Sequence, residues 1–226
     1  MKILILGFQR SGTTILRRII NSHPEVKRIM HESFLLTKCQ NKPQLKKQLV
    51  KHNINIKKDN WGEKVPYYPN IRRTPTVKYC EKWIEYFGEQ SRIIHIVRHP
   101  YDITLSIMKK YAGQNKFHVP LTIYKRKVIN TIPQIMNLDN TLTIKYEQLI
   151  THPDITIPMI YEFCGVDSTI DYKHYLQKLK NKKYQSIDSS RAFAYKKKKI
   201  KSDIDISEVL QIANTIEGPE YKGDTM

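Results

Sequence analysis

Short apolar runs alternate with amphipathic stretches along this chain, and the alternation predicts its elements. KILIL at residues 2–6 is short, largely apolar and bounded by Gly7, as a buried parallel strand is. RIIHIV (92–97) and TLTIKY (141–146) repeat that pattern. Between them the period changes to that of a helix. From 11 to 21, Ile15, Leu16, Ile19 and Ile20 share one face and Arg17 and Arg18 occupy the other. SHPEV then breaks that helix, because a residue before proline avoids the helical region. Residues 40–60 are polar and lysine-rich, with a helix expected near 44–51, and WGEKVPYYPN (61–70) reads as loop. Val77, Cys80, Trp83 or Ile84, and Phe87 recur at helical spacing between Pro75 and a stop at Gly88. Pro100 opens another helix. One more is expected over 121–136, ended or kinked at Pro133, and another follows in HPDITIPMIYEFCGV up to Gly165. Beyond Ser168 helices and a basic loop are expected, without repeats. Strand–helix alternation of this kind predicts an α/β fold with a mainly parallel central sheet flanked by helices.

Size and charge narrow the possibilities. The 226 residues suffice for one domain with a substantial core, taken as 1–226. The formal charge of +18 favours anionic partners, and lysines crowd the segment from about 173 onward. A solvated basic face explains many of those lysines equally well. Nucleic acid is a candidate partner only through this basic surface, since no zinc-finger or aromatic–basic RNA-binding pattern accompanies it. No run of about 18 apolar residues predicts a transmembrane helix. Gly7 and Arg10 interrupt the first apolar stretch too early for a signal peptide. Cys39, Cys80 and Cys164 are far apart and odd in number, which fits reduced thiols and a cytoplasmic setting, not a disulfide frame or zinc site.

Chemistry concentrates first at GFQRSGTT (7–14), which joins a strand to a helix N-terminus. Unpaired amides and the helix dipole favour an anion there. Ser11 and Gly12 allow close backbone approach, and Thr13 and Thr14 add hydroxyl donors. A nucleoside triphosphatase loop carries lysine after its second glycine and a magnesium-binding hydroxyl next. Thr13 takes the lysine position here, and the cation lies inward, at Arg10. That layout suits a ligand with one phosphate at the loop and another anionic group beyond, held without metal. RHPYDITLS (98–106) repeats the offer at a second strand end, where Arg98 and Ser106 are placed to hold a further phosphate. An arginine at a strand end and a helical serine are common, so this second stretch gains weight only beside the first.

Together these stretches resemble the sulfotransferases that use 3′-phosphoadenosine-5′-phosphosulfate (PAPS), with RSGTT as the 5′-phosphosulfate loop and RHPYDITLS as the 3′-phosphate motif. GxxRSGTT followed by HPEV is closest in style to the protein-tyrosine, carbohydrate and bacterial branch. WGEKVP and IKYEQLITHPDITIPMIYEFCGV are similar to further family segments, in family order over residues 3–166. The resemblance implies a P-loop-type three-layer fold. It also implies in-line transfer of a sulfuryl group to a hydroxyl of a carbohydrate, tyrosyl or small-molecule acceptor, with a general base and no metal.

The residue roles implied by the resemblance follow its motifs. Arg10 matches the loop cation near the bridging phosphosulfate, Gly12, Thr13 and Thr14 the cradle of the 5′-phosphate, and Ser11 is counted with them as cofactor-binding. Arg98 and Ser106 match the 3′-phosphate ligands, and Lys64 a lysine near the transferring sulfate. Allowing one inserted residue, Glu32 falls where the protein-tyrosine branch carries its base, and His31 is the rival. Tyr146 matches a tyrosine near the adenine, or is a strand-end core aromatic. SIDSSRAFAYKKK resembles a C-terminal cofactor lid that carries Arg191. His23 and Glu25 read as turn residues. Two departures from luminal relatives are expected: no membrane anchor, since the sequence opens on its first strand, and no counterpart of their paired cysteines. Two competing functions remain: a non-catalytic phosphonucleotide- or nucleic-acid-binding protein on the same fold, and a kinase or triphosphatase with a displaced cation, which Thr13 and the Arg98/Ser106 pair oppose.

Overall fold

A computed structural model describes residues 1–39, 41–67, 76–110, 118–178, 187–197 and 205–216. The three expected strands are present as β1 (Lys2–Phe8), β4 (Ser91–Val97) and β5 (Thr141–Lys145). Two more, β2 (Val26–His31) and β3 (Asn60–Tyr67), complete a five-stranded sheet in the order β2-β3-β1-β4-β5, every pair parallel.

The additional strands have weak apolar signatures for physical reasons. β2 is an edge strand whose Lys27 and Arg28 face solvent, so it needs no continuous apolar run. The reading of 61–70 as loop is corrected over the described part: β3 is an interior strand despite Gly62, Glu63, Lys64 and Pro66. Gly62 is required because a Cβ there would collide with the backbone of Ile3 on β1.

Helices cover both faces. On one, α1 (Thr13–Ser22), α7 (Tyr146–Thr151), α8 (Pro153–Phe163) and α9 (Tyr172–Gln177) pack over Ile3, Ile5, Ile94 and Ile96. On the other, α2 (Leu35–Lys38), α3 (Lys42–Val50) and α4 (Thr76–Phe87) enclose Leu4, Leu6 and Trp61. A third apolar cluster joins α5 (Pro100–Lys110), α6 (His118–Met136) and α10 (Ser207–Asn214) to the outer end of β1 through Phe8. Asn41 caps α3 by accepting from the Gln44 amide at 3.0 Å. Tyr146 opens α7 and does not end β5, and α6 runs through Pro133 to Met136. Pro75, the expected start of α4, lies outside the described residues, as does 198–204, part of the basic run. The three cysteines are free and buried. Among the described residues no helix is long and apolar enough to cross a membrane.

This topology fixes where a ligand can sit. After β1 the chain moves outward to β2 and returns through β3, whereas β4 and β5 lie on β1's other side. Connections diverge beyond the C-terminal ends of β1 and β4, which is where open parallel sheets form their binding crevice.

Candidate active site

The turn after β1 is built for close approach. The Ser11 amide donates to the Phe8 carbonyl at 3.0 Å, and Arg10 and Gly12 both take left-handed backbone conformations, φ 70° and 106°. Gly12 lies so near the Tyr146 ring that a Cβ would collide with it. α1 starts directly afterwards with no side-chain cap and no acid in its first turn, so its positive end is uncompensated. Ser11 lies fully buried beneath the turn.

Arg98 leaves β4 toward that turn. Its guanidinium donates to the Arg10 carbonyl at 3.2 Å and to the Arg191 carbonyl at 3.1 Å. It lies 4.3 Å from the centre of the Tyr146 ring and 3.5 Å from the Asp102 carboxylate. The Tyr124 hydroxyl donates to the Arg98 carbonyl at 2.7 Å, fixing the strand end itself. Arg10 Nε donates to Ser106 Oγ at 2.9 Å, so the loop cation faces α5. Arg10, Gly12, Thr13 and Thr14 therefore share a cavity of about 530 Å³ with Arg98, Ser106, Tyr146 and Arg191.

The C-terminal segment 187–197 closes one side of this cavity. The Ala194 and Tyr195 amides donate to Asp102 at 3.3 and 2.8 Å, and the Tyr195 ring stacks on His99 at 4.0 Å. Burial pushes the Asp102 carboxyl above the usual carboxylate range, and the Arg98 guanidinium opposes that shift. Arg191 lines the cavity while its Nε donates to Asp188 at 2.9 Å. Asp188 is held below its usual range, first by the Ser190 hydroxyl and then by Arg191.

Three further site candidates form a separate group at the β2/β3 end. Lys64 Nζ lies 2.7 Å from Glu32 Oε1 and 3.4 Å from His31 Nε2. Lys64 is almost wholly buried, Glu32 and His31 less so. Burial and the Lys64 charge lower the His31 pKa, and Glu32 counters them. This trio does not line the cavity. It gathers at the end of β2, which α1 holds in place where Arg17 donates to the Ile29 carbonyl at 3.0 Å.

These two groups sit within one recognisable sequence span: the sulfotransferase domain profile matches residues 1–211. The chain belongs to the sulfotransferase domain family. No curated protein matches it. Among solved structures, the sulfotransferase domain of the Synechococcus PCC 7002 olefin synthase is 19% identical, with a TM-score of 0.67, covering 97% of this chain and 96% of that one. The sulfotransferase domain from the curacin biosynthetic pathway is 20% identical, TM-score 0.66, covering 96% and 98%. Mouse sulfotransferase SULT7A1, solved with 3′,5′-adenosine bisphosphate (PAP), is 17% identical at TM-score 0.50, covering 88% and 68%. At these identities the solved structures establish a shared fold, the P-loop-type arrangement expected above.

Other residues of this sulfotransferase domain belong to the site without having been expected there. Asp102 stands four residues after Arg98, a spacing that signals an ion pair once a helix start is placed at Pro100. Lys109, one turn beyond Ser106, adds another cation to the cavity lining. Neither carries a motif of its own.

Proposed function

We propose that this chain is a PAPS-dependent enzyme that transfers a sulfuryl group to a hydroxyl acceptor. The observation that carries the proposal is the convergence of Arg10, Arg98 and Arg191 with the Tyr146 ring and the uncapped start of α1 on one cavity. Three arginines, two loop hydroxyls and an aromatic face suit a purine nucleotide with two separated anionic ends. SULT7A1 and retinol dehydratase, both solved with PAP, share the fold.

In this reading Gly12, Thr13 and Thr14 hold the 5′-phosphate end. Arg98 and Ser106 hold the 3′-phosphate, Arg191 closes over it, and Tyr146 lies against the base. The nucleotide supplies an activated sulfuryl group when bound. Arg10, anchored on Ser106, places positive charge between the two anionic ends. Glu32 accepts the proton of the acceptor hydroxyl, and the Lys64 ammonium, 2.7 Å from its carboxylate, orients it. The neutral His31 imidazole is the alternative acceptor, because burial and Lys64 disfavour its charged form.

Thermal unfolding tests the ligand assignment. PAP raises Tm and ATP with magnesium does not, since only a ligand of the native state stabilises it. Equal shifts with both would remove Arg98 and Ser106 from their assigned role. Transfer of labelled sulfate from PAPS to glycans, tyrosyl peptides and phenols then identifies the acceptor class. Glu32→Gln keeps the PAP-induced shift and lowers turnover about 10²–10⁴-fold. Unchanged turnover would move the base to His31.

A further inference from the structure

Glu63 is fully buried, and neither the nucleotide cavity nor the proton-accepting trio includes it. A buried carboxylate is expensive, and an apolar residue would fill the same space without that cost. What it does is visible on both faces of β3.

Side chains alternate along a strand. On β2, Ile29 enters the core under α1, and Met30 the opposite core. Alternation puts His31 on the α1 side and sends residue 32 to the side of Met30. Glu32 does the reverse. Its carboxylate reaches Lys64, which pairs with His31 across the strands and lies 3.4 Å from that imidazole. The φ of 51° at Glu32 breaks the alternation, and Phe34 repeats the left-handed conformation at 50°. Each such non-glycine residue is strained and persists only where its surroundings enforce it.

The enforcing contacts converge on Glu63. One carboxylate oxygen accepts from Ser33 Oγ at 2.6 Å and from the Leu35 amide at 3.2 Å. The other accepts from the Tyr79 hydroxyl, which itself accepts from the Leu36 amide at 3.1 Å. Phe34 has no side-chain acceptor with which to cap α2, so Glu63 and Tyr79 satisfy its first amides. Consecutive residues of β3 thus grip one segment from two sides: Lys64 holds the Glu32 side chain, and Glu63 holds the backbone just after it.

We propose that Glu63, acting with Tyr79 and Ser33, is a positioning residue that holds Glu32 against Lys64 in the geometry for proton acceptance. The catalytic part of this statement rests on Glu32 being the base. The positional part does not, and one measurement needs neither acceptor nor cofactor. His31 faces Glu32, Lys64 and Arg17, and of these three charges only that of Glu32 raises its pKa. NMR titration of the His31 ring therefore reports where the Glu32 carboxylate is.

In Tyr79→Phe, Ser33→Ala and Glu63→Gln the His31 midpoint moves down. That is the direction produced by Glu32→Gln, and Tyr79→Phe adds nothing further in the Glu32→Gln background. Turnover with an accepted substrate falls about 10–100-fold, with the KM for PAPS unchanged. Ser33→Thr, which keeps the hydroxyl, restores both readouts. A loss of Tm with an unmoved His31 midpoint and unchanged kcat in Tyr79→Phe and Ser33→Ala would overturn the proposal and leave a purely structural network. Should Glu63→Gln fail to fold, those two variants decide alone. A wild-type protein that transfers no sulfate would defeat the functional reading, while the His31 titration still decides the positioning.

Discussion

Replacing Arg98 by methionine separates what this residue does for the fold from what it does for a ligand. Methionine keeps an apolar stem and removes the guanidinium of a side chain that is 11% exposed in the native protein and pairs with a wholly buried Asp102 side chain. Stranding a buried charge costs about 3–5 kcal/mol, and Asp102 keeps its two backbone donors, so the lower end, about 3 kcal/mol, applies. For a chain of this length that corresponds to a fall in Tm of about 6–12 °C. The cost depends on pH with a definite sign. Burial raises the folded-state pKa of Asp102 above its unfolded value. Stability is then complete below the unfolded pKa and is lost as pH rises through the folded one. Losing Arg98 raises that pKa further, so the variant's deficit relative to wild type is small near pH 4 and full near neutrality. Adding Asp102→Asn removes the stranded charge and recovers most of the Tm. It does not restore the PAP response, which in wild type is about 2.7 kcal/mol at a hundredfold excess over Kd. Differential scanning fluorimetry of the three proteins across pH, with and without PAP, reads every arm. A full PAP shift in the double variant would remove Arg98 from the phosphate site. A deficit that Asp102→Asn leaves untouched would show that the cost does not come from the buried carboxylate.

Two further outcomes follow from individual positions. Gly12→Ala strains the backbone at φ 106° by about 1–3 kcal/mol and drives a Cβ into the Tyr146 ring. Urea unfolding shows that loss, and Tyr146→Ala in the same chain relieves the collision but not the strain; wild-type stability in the Gly12→Ala protein would mean the turn adapts freely. His95 is buried in the middle of β4, and burial lowers its pKa to about 3. Its folded pKa lies below the unfolded one, so it contributes stability above the unfolded pKa of about 6.5 and loses it by about 1.4 kcal/mol per pH unit as pH falls toward 3. His95→Gln flattens that acid limb in urea titrations, and an unchanged slope would assign the acid sensitivity to other groups.

The parts of this protein that were legible in its sequence are those where one physical demand dominates. β1 and β4 are covered by helices on both faces, so they read as apolar runs, and the turn at 7–14 declares itself through small residues that a close approach requires. The cavity side chains Arg10, Gly12, Thr13, Thr14, Arg98, Ser106, Tyr146 and Arg191 meet because the loop after β1 and the end of β4 converge where the sheet's connections diverge. β3 was illegible because it serves two demands at once. An interior strand calls for apolar residues, yet Glu63 and Lys64 occupy its middle. Their polar atoms are satisfied by residues 16 to 33 positions away, on β2, α4 and the turn after β2. Those partners are set by tertiary structure, so no local periodicity encodes them, and the Glu-Lys pair reads as loop chemistry. Glu32 shows the same limit from the other side: strand alternation assigns it to the wrong face, and only its left-handed backbone brings it to Lys64. Glu63 and Lys64 carry a desolvation cost inside a parallel sheet and are held there by partners that all lie at one place. In this chain that place is the boundary between β2 and β3, which is why the two residues hardest to read as strand are the two that grip the Glu32 turn.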